Sequence, residues 1–284
     1  LLPESQMKVV GPSVLALLVA ALLAPRGLTA QSPPSTVFLE ALTWVEIRDR
    51  IEDGATNVII ATAGTEQKGP HMVMGEHKYV LEYTTDKIAR ALGNTLVSPI
   101  ITYVPEGDWG AEPTGHMRMP GTITMPEEWF VELLLHTARS HERAGFTSVF
   151  FLGDSGGNYS GMETAVETLN GEWEGTGSRA YLIEDYYRKS GADGRRYITE
   201  ELGITADDIG GHAGITDTSQ MWFVNKQHIR KELLADRGGF EGSGSSGNPT
   251  LASPEIGRRI LDFKIQNTLA EIRAALGTDQ EEER

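Results

Sequence analysis

Two hydrophobic periods alternate along the chain. Residues 56–64 (TNVIIATAG) form a short apolar run rich in β-branched side chains, which predicts a buried strand. Residues 78–92 place apolar side chains at Val80, Ile88, Ala91 and Leu92, a helical spacing that Gly93 stops. Residues 95–105 (TLVSPIITYVP) predict a second strand. Pro126-Glu127-Glu128 opens a helix, with proline near the first turn and acids at the positive end of the dipole, and Gly145 closes it. Residues 147–154 (TSVFFLGD) predict a third strand. A last helix follows Ser253 as N-cap, with Pro254 at its first position and an apolar stripe of Ile256, Ile260, Phe263 and Leu269. Residues 241–249 (EGSGSSGNP) read as a flexible loop. The order β-α-β-α-β predicts an α/β fold: a mostly parallel central sheet with helices on its faces. Ligands of such sheets bind at loops leaving the carboxyl ends of strands. GTEQKGPH and GDSGGN both lie there.

Composition changes this picture at the amino end. Lys8 gives a short positive region, residues 14–23 (VLALLVAALL) an apolar one, and Leu28-Thr29-Ala30 a small-residue cleavage site. Pro25 and Arg26 interrupt the apolar run too soon for a membrane span. Residues 7–30 therefore read as a signal peptide, with residues 1–30 set aside and residues 31–284 forming a single α/β domain. The expected location is the periplasm or the exterior. The chain has no cysteine, so disulfides and thiolate sites are excluded. Its net charge of −15 argues against nucleic acid, whose phosphates need a basic surface, and otherwise favours solubility.

Candidate chemistry concentrates after the first predicted strand, where Glu66, Lys68, His71, Glu76 and His77 crowd into one loop-like run. Oxygen and imidazole ligands suit Zn²⁺ or Mn²⁺, and Asp154 at the next strand end is the natural additional ligand. Loop histidines are more often only hydrogen-bonded polar residues. His116 sits among turn residues in PTGHMRMPGTI. GDSGGN lacks the Lys-Ser/Thr of a P-loop, and its Ser155 is not in a G-x-S-x-G elbow. His212, in GHAGITDTSQM, titrates in the range needed for general acid or base work.

Taken together, five segments in order resemble the creatininase (creatinine amidohydrolase) family: GTEQKGPHMVMGEH, GHMRMPGTI, FFLGDSGGN, GHAGITDTS and GNPTLASPEIGRRIL. The resemblance implies a three-layer α/β/α sandwich, a divalent metal site, and hydrolysis of a C–N bond in a small cyclic amide, formamide or peptide. It also implies a homo-oligomer. Residue by residue, Glu66 falls on the family's first metal-binding Glu and His212 on its proton-transferring His. His116 and His71 fall on two further family histidines, and Asp217 replaces a Glu. Lys68 stands where the family has a metal-binding His, His77 where it has a bridging Asp, and Ser155 where it has another His. An ammonium ion binds no metal, and an imidazole bridges two metals poorly.

Two expectations follow. In one, Lys68 replaces one ion and supplies catalytic charge, while a single Zn²⁺ or Mn²⁺ per chain remains on Glu66, His77 and Asp154. His212 then moves protons, and His116, Trp109 and Ser155 contact a small-molecule amide. In the other, the pocket survives only to bind a solute or to serve as a scaffold. A serine hydrolase using Ser155 and His212 is a third, weaker expectation.

Overall fold

The computed structural model describes residues 35–234 and 240–278. The predicted signal peptide and the acidic DQEEER tail fall wholly or almost wholly outside them. Four strands, β1 (Asn57–Thr62), β2 (Thr95–Val97), β3 (Ser148–Gly153) and β4 (Arg179–Leu182), form a parallel sheet in the order β2-β1-β3-β4. The longer helices are α1 (Trp44–Glu52), α2 (Glu76–Leu92), α3 (Glu127–Ala144), α4 (Tyr159–Glu172), α5 (Arg188–Arg196), α6 (Ile215–Val224) and α7 (Pro254–Leu276).

Alternation along the central strands builds the three layers. Val58, Ile60, Val149 and Phe151 pack against Phe130 and Leu134 of α3 and Met162 and Leu169 of α4. Ile59, Ala61, Phe150 and Leu152 point the other way, onto Leu81 and Ile88 of α2 and Ile272 of α7. Both faces of β1 are covered, so its sequence is a continuous apolar run rather than an alternating one. The expected α/β/α sandwich is therefore the observed fold. Among the described residues, no helix is long and apolar enough to cross a membrane.

Four local expectations shift. The second strand ends at Val97 instead of running to residue 105. Pro99 and Pro105 lack the N–H that a ladder needs, and only isolated bridges at Ile101 and Val104 follow. Helix α2 begins at Glu76, so Glu76 and His77 occupy its first turn rather than a loop. Strand β4 went unpredicted because RAYL is short and opens on an exposed Arg179. Within the segment read as a flexible loop, residues 244–248 are fixed by backbone hydrogen bonds from Ser246 to His212 and from Asn248 to Asp208.

Helix α7 packs across α2, α5 and α6 and closes the carboxyl edge of the sheet. Its Gly257 lies so near α6 that a Cβ there would meet Ser219 O at 1.9 Å. This close crossing brings Lys264, on the buried side of α7, over the end of β3.

Candidate active site

Loops from the carboxyl ends of β1 and β3 and the first turn of α2 meet beneath one cavity of about 540 Å³. Glu66 and Lys68 leave β1, Asp154 and Ser155 leave β3, and Glu76 and His77 open α2. His116 arrives from the loop after Val104, and His212 and Asp217 from the segment entering α6.

Lys68 is the electrostatic centre. Its Nζ lies 2.9 Å from Glu66 Oε1, 3.2 Å from Glu76 Oε2 and 3.4 Å from Asp217 Oδ2. The residue is only 1% exposed. Burial alone would pull the ammonium pKa down, but Asp217, Glu66 and Glu76 outweigh it and hold it well above its ordinary value. The three acids hold Lys68 in its charged form.

His77 spans two acids. Its Nε2 is 2.8 Å from Glu66 Oε1, and its Nδ1 is 2.9 Å from Asp154 Oδ2 and 3.1 Å from Glu76 Oε2. Burial and Lys68 oppose its charge, but Glu76, Asp154 and Glu66 raise its pKa to about 10. Asp154 also receives Lys264 Nζ. Burial works against the Asp154 carboxylate, but Lys264 and His77 hold its pKa below the ordinary value.

The expected trio of Glu66, His77 and Asp154 is thus gathered, but around the imidazole. The two carboxylates hold opposite ring nitrogens, so the three do not face one common point. Atoms that can face one point fall into two other groups, Glu66–His116–His212 and Glu76–His77–Asp154, each with its ligand atoms within 4.8 Å of one another.

The first group borders the cavity and is oriented by its surroundings. Gly69 N–H donates to Gln67 Oε1 at 3.0 Å, which turns Gln67 Nε2 toward His116 Nδ1 at 3.2 Å. His116 Nε2 then lies 3.1 Å from Glu66 Oε2. His212 Nε2–H donates to Gln67 O at 2.7 Å, and its Nδ1 faces Glu66 Oε1 at 3.8 Å. Burial and Lys68 lower the His212 pKa to about 4, and burial is the main cause that lowers that of His116. Both rings are therefore neutral near pH 7, the form that ligates metals.

His212 is positioned by the segment expected to be flexible. Ser246 Oγ accepts from Gly211 N at 2.8 Å and His212 N at 3.0 Å. Gly210, at φ +72°, allows this approach, since a Cβ there would sit 2.1 Å from Ser246 O. A divalent ion fits the donor set of Glu66, His116 and His212. Glu76–His77–Asp154 is the less suited group, because Lys68 and Lys264 already pair with its acids.

Ser155 lines the cavity. His71 lies buried behind it, its Nε2 2.9 Å from Thr218 Oγ1. Trp109, expected to contact the substrate, is 70% exposed and borders a separate hollow with Gly107, Asp108 and Met125. The reason is a closed loop, with His116 N–H bonded to Glu106 O and Thr114 N–H to Asp108 O, which leaves Trp109 near the tip.

Sequence reasoning missed Gln67, Glu106 and Lys264. Lys264 carried a usable signal, a lysine four residues after Ile260 on an apolar stripe. Glu106, whose carboxyl is pushed up to about 9 by burial and by Glu66, carried none.

Comparison with known proteins agrees with this fold. Solved neighbours include a structure described as creatininase Mn, with a TM-score of 0.72 and 19% identity, covering 84% of this chain and 98% of that one. Another is a Zn-Zn type mutant creatininase, with a TM-score of 0.69 and 19% identity, covering 85% and 99%. A putative creatinine amidohydrolase from Bacteroides fragilis superposes with a TM-score of 0.64 at 16% identity, covering 87% and 99%. A 3-dehydro-scyllo-inosose hydrolase from Thermotoga maritima is 27% identical over 123 residues, 43% of this chain but only 37% of that protein. Residues 40–272 match the family described as creatininase, creatinine amidohydrolase. With that match spanning most of the chain, and with the fold in agreement, the protein belongs to the creatininase family.

Proposed function

We propose that this protein is an exported hydrolase of a C–N bond in a small amide, cyclic amide, formamide or peptide, using one divalent ion, Zn²⁺ or Mn²⁺. Glu66, His116 and His212 would hold the ion. The carrying observation is that these three converge at the cavity: Lys68 and His77 hold Glu66 Oε1, its Oε2 faces His116, and Glu76 and Asp154 are already balanced by Lys68, His77 and Lys264. A bound divalent ion supplies Lewis-acid polarisation of a carbonyl and lowers the pKa of a water.

The protein's own residues do the rest. Lys68, engaged by Glu66, Glu76 and Asp217, would act by fixing Glu66 and setting the charge of the site rather than by touching the substrate. His212, expected from sequence as a proton carrier, would serve in this reading as a neutral ligand, its ring held by Gln67 O. Ser155 and Tyr187 line the same cavity and offer hydroxyl donors to a substrate.

Elemental analysis of protein purified without chelator tests this reading. About one Zn²⁺ or Mn²⁺ per chain is expected, lost in Glu66→Ala, His116→Ala and His212→Ala and kept in His77→Gln. Metal-free native protein that gains no amide hydrolysis on adding Zn²⁺ or Mn²⁺ would sink it.

The same charge balance favours a second reading, a pocket complete without an ion that binds a solute and turns nothing over. Metal-free protein with a tightly bound small molecule would establish it. Self-association belongs to the main proposal, and sedimentation velocity checks it. Export is checked by the amino terminus of the mature protein, expected at Gln31.

A further inference from the structure

The cavity has a second chemical feature, on the wall formed by α5. Arg188, Gly191 and Arg195 all line it, and their spacing of three and four residues puts them on one helix face. A Cβ at Gly191 would meet nothing within 4 Å, so bare backbone beside open space separates two guanidinium groups. Beside them the wall is apolar: Ile260 packs against α5, where a Cβ at Gly194 would touch its Cγ1 at 3.4 Å.

The placement of charge matters because the chain as a whole carries −15. Helix α5 runs against that, with Arg188, Lys189, Arg195 and Arg196 and a single acid, Asp193, within it, while Glu184 and Asp185 just before it pair with Arg188 and Lys189. The cavity's two lysines, Lys68 and Lys264, are engaged by buried acids. The arginines are not used in this way. Arg188 Nη2 meets Glu184 Oε1 at 3.1 Å and its guanidinium lies 5.8 Å from the Tyr159 ring, while Arg195 Nη2 donates to Gly210 O at 3.3 Å. A guanidinium carries five N–H donors in a fork that matches a carboxylate, so each retains donors for a ligand.

We propose that α5 selects the substrate: Arg188 and Arg195 bind a carboxylate on the amide, at the end away from the C–N bond. The substrate class is then a small amide or lactam bearing a carboxylate, of a size that a cavity of about 540 Å³ accepts. This rests on the cavity being the amide-hydrolysing site, but its test does not depend on turnover.

The test is calorimetric binding of three acids, N-formylleucine, pyroglutamate and N-acetylglutamate, each against its methyl ester, to the full mature protein. At least one acid is expected to bind about tenfold or more tightly than its ester. Arg188→Gln/Arg195→Gln should abolish that preference with metal content unchanged, and Arg188→Lys/Arg195→Lys should restore part of it. Both arginines are exposed, so the variants should fold, which circular dichroism checks. No acid preferred over its ester, or a preference that survives the double glutamine variant, overturns the inference. If the native protein holds no metal yet acid preference follows the arginines, carboxylate selection stands and the metal-hydrolase reading falls. If metal is present and the preference is absent, the reverse holds.

Discussion

Two neighbouring clusters in this molecule contain the same kinds of side chain and do different things. Glu66–His116–His212 and Glu76–His77–Asp154 each bring carboxylate and imidazole atoms within 4.8 Å of one another. The difference lies in what surrounds them. Around the second, Lys68 and Lys264 reach in from β1 and α7, and the imidazole is held charged between acids. Around the first, Gln67 and Ser246 orient two neutral imidazoles at the cavity, and the two clusters share Lys68 and His77 only through Glu66 Oε1. Ligand types alone do not make a metal site. The local charge balance decides whether acids and histidines await a cation or already have one.

Breaking the neutralised cluster should have the largest effect. Lys68→Met strands Glu66, Glu76 and Asp217 in a buried space, and unpairing a buried charge costs about 3–5 kcal/mol. Urea unfolding should show that loss, and a stability within error of native would mean the ammonium does not hold the cluster together.

The open cluster should respond in ligand affinity rather than in folding. Gln67→Ala removes the amide that orients His116, and losing such support weakens metal binding on the order of 10–100-fold. A chelator competition titration measures it. Unchanged affinity would detach His116 from the metal proposal.

The two clusters should also differ in pH response. The folded His77 pKa is raised from 6.5 to about 10. Its contribution to stability is therefore complete below about pH 6.5 and fades as pH rises through about 10. The melting temperature of native protein should fall over that window more steeply than that of His77→Gln. Parallel curves would show that His77 is not held charged. The smallest effect is expected at Ser246→Ala, which removes one acceptor shared by Gly211 and His212, for about 1 kcal/mol. Thermal unfolding and metal content together would show whether it loosens His212 or only the loop.

The legibility of the molecule divides along similar lines. The strand runs at residues 56–64 and 147–154, the helix signals at Pro126, Gly145, Ser253 and Pro254, and the parallel α/β order were all present in local spacing. Glu66, Lys68, His116, Ser155 and His212 were identified as candidates and do meet at one cavity. Trp109 lies outside that cavity because a loop's hydrogen bonds, which leave no periodicity, turn it outward. The 241–249 segment was misread because glycine and serine serve equally in flexible linkers and in tight contacts.

By itself the sequence determined the layers, the strand ends where chemistry gathers, and the family to which the motifs point. Burial periodicity, capping and turn preference act between near neighbours, so they are written locally. Tertiary structure alone decided that Lys264 would neutralise Asp154, that His77 would stand between two carboxylates, and that Arg188 and Arg195 would face the same cavity as Glu66. Those outcomes depend on contacts between residues up to 110 positions apart. The charge state of a buried group is set by every charge packed around it, whatever its place in the chain.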